Sequence, residues 1–108
     1  MISYIKVKTI TGCILSIGIL TIHFLIPGAL SLKEKRGRLK PVIARLRKQF
    51  NISVAEMDRQ DVWNEAVIAC AVISTDAVQC QRVLQQAVRD FEDQWPDLTL
   101  LDDHLELM

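Results

Sequence analysis

Two stretches limit the fold more than anything else in this chain. From Cys13 to Leu25, and again from Glu65 to Ser74, β-branched residues are frequent and both alternating sets of side chains are apolar. In the first stretch Leu15, Ile17 and Ile19 share one face and Ile14, Leu20, Ile22 and Phe24 the other; in the second, Ala66, Ile68, Cys70 and Val72 alternate with Val67, Ala69, Ala71 and Ile73. Strands of that kind belong in the middle of a sheet with both faces covered. With 108 residues, half of them apolar and a quarter charged, the chain fits one folded core and leaves little for a second.

Each of these strands is followed by a helix signal. Pro27-Gly28 stops the first, and Ser31-Leu32-Lys33-Glu34 is a capping box in which Ser31 accepts from the Glu34 N–H while Glu34 reaches back to the Ser31 N–H. Leu32, Leu39, Val42, Ile43, Leu46 and Phe50 then fall on one arc of a helix running to about Gln49, with Lys35 toward the buried side. Pro41 removes an internal hydrogen bond, so a kink, or a break near Lys40, is expected. Asn51 ends the helix, Ile52 to Asp58 reads as a strand, and a polar connection leads to the second doubly apolar strand. Thr75 or Asp76 caps a second helix whose Cys80, Val83, Leu84, Ala87, Val88 and Phe91 share a face, Trp95-Pro96 closes it, and Leu98 to Leu107 is a last strand. The order is β-α-β-β-α-β, and right-handed crossovers put the first and third strands in the centre. The expected fold is therefore a ferredoxin-like α+β two-layer sandwich, an antiparallel sheet with two helices on one face, over residues 13–108. Residues 1–12 alternate only weakly and read as an extension, either disordered or an added edge strand.

The run from Ile10 to Leu30 is long and apolar, but Ser16, Gly18, Thr21, His23 and Pro27-Gly28 interrupt it as a membrane span, and only four residues separate Lys8 from Cys13, which leaves no room for the apolar region of a lipoprotein leader. A cytoplasmic protein without membrane contact is expected. Cys13, Cys70 and Cys80 lack metal or disulfide spacing and read as buried free thiols. No phosphate loop, nucleophile motif or metal-ligand spacing is present, and His23 has no ligand partner near it in sequence, so no enzyme, cofactor or metal is expected.

The string Phe24-Leu25-Ile26-Pro27-Gly28-Ala29-Leu30-Ser31-Leu32-Lys33-Glu34-Lys35-Arg36, followed by Phe50-Asn51-Ile52-Ser53-Val54-Ala55-Glu56-Met57-Asp58 and Gln60-Asp61-Val62-Trp63, resembles the DUF503 (YlxP-like) family of small bacterial proteins, from about Ile17 to the end. The resemblance implies a ferredoxin-like domain whose relatives are suspected of a ribosome-related role, and it carries no mechanism.

Charge is balanced overall, with thirteen basic and thirteen acidic residues, but unevenly distributed. Lys33 to Lys48 is basic and the segment after Asp90 is acidic. On the first helix, Lys33, Arg36, Lys40 and Arg47 line one flank of the apolar arc, and Arg38 and Arg45 the other. Such an array can grip the phosphates of RNA or a ribosomal particle without reading bases. The competing reading is a solvated face neutralised by the acidic C-terminal strand. The alternative site is the tip of the hairpin, Asp58, Gln60, Asp61 and Trp63, as a protein-binding module with Trp63 as anchor, against a plainer reading in which Trp63 caps the core. Any aliphatic sheet face left open by the helices is expected to be buried in a homodimer.

Overall fold

A computed structural model describes residues 2–4 and 15–108. Its order is β1 (Ile2–Tyr4), β2 (Ser16–Leu25), α1 (Leu32–Phe50), β3 (Ser53–Asp58), β4 (Glu65–Ser74), α2 (Ala77–Gln94) and β5 (Thr99–Leu107). The sheet runs β1-β5-β2-β4-β3, so the βαββαβ unit is ferredoxin-like and the two doubly apolar strands, β2 and β4, lie side by side within it. They pair antiparallel over their whole length, from Ser16 opposite Ser74 to Leu25 opposite Glu65. Of the segment read as an extension, Ile2–Tyr4 adds a short fifth strand parallel to β5 at Leu105–Leu107; Met1 and residues 5–14, Cys13 among them, lie outside the described residues.

Local chemistry accounts for the helix ends. Ser31, in extended backbone, accepts from Glu34 N at 3.1 Å, but the Glu34 carboxylate reaches one residue further back than expected and takes the Leu30 N–H at 2.8 Å. Asn51 closes α1 in the left-handed conformation at φ 51°, its N–H donating to Arg47 O at 3.1 Å. Asp76, rather than Thr75, caps α2 by accepting from Val78 N at 2.9 Å.

Of the kink or break expected near Lys40, the break does not occur: α1 is continuous through Pro41. The proline ring lies on the exposed side, and the carbonyl that loses its donor belongs to Gly37, which is itself exposed and open to water.

Both helices pack on one face of the sheet. The alternate residues Leu20, Ile22 and Phe24 of β2 and Ala66, Ile68 and Cys70 of β4 are buried beneath Leu39, Val42 and Leu46 of α1 and Cys80, Leu84, Ala87 and Phe91 of α2. The Phe24 and Phe91 rings meet at 4.8 Å, tilted by 54°. At Gly18 a Cβ would lie 2.8 Å from Leu84 Cδ1 and 3.2 Å from Cys80 Cβ, so the missing side chain is what lets α2 come down on β2. Only one face of the sheet is covered. Ile17, Ile19, Val67, Ala69, Ala71 and Ile73 point the other way and retain partial exposure, Ile73 as much as 64%. The sequence pattern alone marked those strands as covered on both sides.

Candidate functional site

The six cations proposed for nucleic-acid contact separate into two sets. Arg45 makes a two-pronged bond to Asp90 of α2, Nε to Oδ2 at 2.9 Å and Nη2 to Oδ1 at 2.8 Å, and this partner raises its pKa further. Arg38 donates to the Pro27 carbonyl and, at 3.0 Å, to Asp97 beyond α2. The acids that neutralise this flank therefore come from α2 and the loop after it, not from the C-terminal strand. Arg47, assigned by the sequence to the other flank, donates at 2.7 Å to the Val54 carbonyl on β3. Lys33, Arg36 and Lys40 remain. All three are exposed, and none has a hydrogen-bond or ion-pair partner among the described residues. Their i, i+3, i+7 spacing makes a stripe about 10 Å long on one side of the first half of α1.

Lys35, between two of them, does something else. It is 1% exposed; its ammonium lies 2.9 Å from Glu56 Oε2 and donates to the Arg59 carbonyl at 2.5 Å. Glu56 Oε2 is buried without a well-angled hydrogen bond, so the lysine charge is what compensates it. Arg59 is held at φ +62°, a left-handed conformation costly for a residue with a Cβ. Its carbonyl accepts both Lys35 and the Val62 N–H, the latter at 3.0 Å. The buried lysine thus fixes the turn of the β3–β4 hairpin from below. It also joins in space the two sequence strings, Ser-Leu-Lys-Glu-Lys-Arg and Val-Ala-Glu, that lie about twenty residues apart in the chain.

The tip itself is firmly built. Asp58 ends β3 opposite Val67, past a bulge at Met57. Gln60 folds back so that its amide donates to the Glu56 carbonyl at 3.3 Å, and Asp61 faces solvent. Glu65 ties the base of the hairpin to β2 through His23, at 2.5 Å, and also approaches Arg59 at 3.8 Å. Trp63 does not cap the core: it is 50% exposed. Leu30, on the neighbouring loop and not singled out in the sequence, is 72% exposed, and that loop is bound to the tip by Ile26 N donating to Asn64 O at 2.7 Å. No periodicity could have flagged Leu30, because it lies in a connection.

A depression of about 680 Å³ between the helices, at Pro41, Arg45 and Trp95, contains no carboxylate, histidine or thiol. Among the described residues no group of three or more His, Cys, Asp or Glu side chains is placed to hold a metal ion. Cys70 and Cys80 are buried free thiols; burial pushes Cys70 up to about 12 and also raises Cys80, so neither is a ready nucleophile. No helix among the described residues is long and apolar enough to cross a membrane.

Comparison with known proteins agrees with this architecture. A solved de novo designed protein, Foldit4, superimposes with a TM-score of 0.52 over 87% of this chain and 96% of its own, at 14% identity, a likeness of fold alone. The uncharacterized protein YlxP of Bacillus subtilis (strain 168) is 35% identical over 82 residues, covering 76% of this chain and 88% of that protein. The model of the protein family of unknown function DUF503 matches residues 17–104, which takes in all of the βαββαβ unit but its first and last residues, and the chain belongs to that family.

Proposed function

We propose that this is a non-catalytic cytoplasmic domain that binds the phosphate backbone of RNA, free or in a ribosomal particle, through Lys33, Arg36 and Lys40. The observation that carries the reading is the contrast on α1: Arg38, Arg45 and Arg47 are engaged within the fold, whereas these three extend into solvent with no partner among the described residues. Three phosphate contacts imply an affinity for single-stranded RNA that falls with a log–log salt slope of about −2. With no net charge to draw the polyanion in, binding depends on the stripe. Buried unpaired thiols in the core are consistent with a reducing compartment. The test is RNA and ribosome-fraction binding across a salt series, comparing the wild type with the triple variant Lys33→Glu, Arg36→Glu, Lys40→Glu and with Arg45→Gln. Loss in the triple variant alone supports the reading; equal binding by all three proteins sinks it.

A second reading has its own support in the half-exposed Trp63, on a turn fixed by Lys35, and the exposed Leu30 on the loop bonded to that turn. A rigid tip bearing an aromatic suits a protein partner. In that case Trp63→Ala abolishes partner capture while the triple charge reversal leaves it intact.

A further inference from the structure

The uncovered face of the sheet has a shape that fits itself. Ile17 and Ile19 of β2 stand as a ridge, and beside it Ala69 and Ala71 of β4 with Ala55 of β3 form the floor of a trough. The trough is apolar, about 320 Å³ in volume, with Ile19 on one side and Ser53 and Met57 on the other. That is about twice the ~150 Å³ of an apolar cavity that holds benzene. We propose that a second copy of this chain covers this face, related by a two-fold axis that lays the ridge of each copy in the trough of the other.

Size, polarity and the edges of the sheet all favour this occupant. Ten residues each in β2 and β4, nine in β5 and six in β3, at ~3.4 Å per residue and ~4.8 Å between strands, give a projected area of about 570 Å². The corrugated accessible area is larger and approaches the ~800 Å² per partner of a stable interface. A ridge beside a parallel trough is self-complementary under a two-fold axis, the arrangement a closed dimer requires.

The charged residues of the face are gathered on the β5 side of the ridge, away from the trough: His104 Nε2 lies 3.0 Å from Glu106 Oε1, Asp102 stands opposite His23, and His23 Nε2 lies 2.5 Å from Glu65 Oε1, so a ridge laid in the trough meets apolar side chains. β2, β3, β4 and β5 bring no Phe, Tyr or Trp to this face to stack a nucleic-acid base. Strand addition at the β3 edge is obstructed, because Arg47 and Gln60 already occupy the Val54 and Glu56 carbonyls.

The test is the mass of the full chain in solution at about 100 µM, a hundredfold above a micromolar dissociation constant. Light scattering should give about twice the 12.3 kDa chain mass, with an unfolding midpoint that rises with protein concentration. Ala71→Arg, which puts a charge in the floor of the trough, should yield a monomer. Ile73→Glu replaces a side chain already 64% exposed, so the fold survives it, and it should weaken the dimer at least tenfold. The triple charge reversal on α1 should leave the mass unchanged, which separates this inference from the RNA reading. A monomeric wild type overturns the proposal and leaves the face to a different protein; a dimer that survives both face variants in folded form overturns its location.

Discussion

The inner and outer sides of α1 carry the same kind of residue to opposite ends. On the outer flank Lys33, Arg36 and Lys40 keep their charges in water, where each costs the fold nothing and holds nothing. Underneath, Lys35 gives up its hydration to sit between Glu56 and the Arg59 carbonyl. A basic helix is thus two devices superposed, one that builds the hairpin and one that is left over for a partner. Position on the helical arc decides which is which, and it does so only when the opposing element supplies an acid.

The largest effect expected from breaking this contrast is at Lys35. Lys35→Met leaves Glu56 partly buried and uncompensated and should cost about 3 kcal/mol, read as a lower denaturation midpoint, with part recovered in the double variant Lys35→Met, Glu56→Leu. Alkali probes the inner side in another way. The unfolded chain loses the Cys70 proton near pH 9 and the folded chain only near 12, so between those values the native state binds more protons. Stability should therefore fall as pH rises through that window, by about 1.4 kcal/mol per pH unit at most. Cys70→Ala should flatten that slope, and denaturant titrations at pH 8 and pH 10 measure it.

Arg45→Gln should lower the midpoint less than Lys35→Met, since its bond to Asp90 lies at the helix–helix margin. The smallest effect belongs to the outer flank. Lys33→Glu, Arg36→Glu and Lys40→Glu should each change stability by no more than about 0.5 kcal/mol, and on the proposed reading each should weaken RNA binding. A large destabilisation there would mean that the two sides are not distinct.

Much of the frame could be read from the residues. Two doubly apolar strands, a Ser–Glu cap and two helical arcs were enough to place β2 and β4 in the centre, because strand period and crossover handedness leave few alternatives. The site was less legible, for a reason of distance. Arg38 and Arg45 look like free cations until Asp97 and Asp90 come in from 59 and 45 residues away. The depth of Lys35 depends on Glu56, on another element. The same holds for the sheet: Val67, Ala69 and Ala71 look buried by composition, and only the placement of both helices on one side leaves them uncovered. Pro41 does not break the helix for the opposite reason, since its cost is local and water settles it.

The capped edge of β3 bears on how far association can go. A strand with open carbonyls invites another strand, and that one a further, so growth along the sheet has no natural end. With Arg47 and Gln60 occupying those acceptors, strand addition at the β3 edge is hindered, whereas the proposed contact through the flat side would be complete at two. Removing the Arg47 guanidinium would free the Val54 carbonyl and reopen that edge to strand addition.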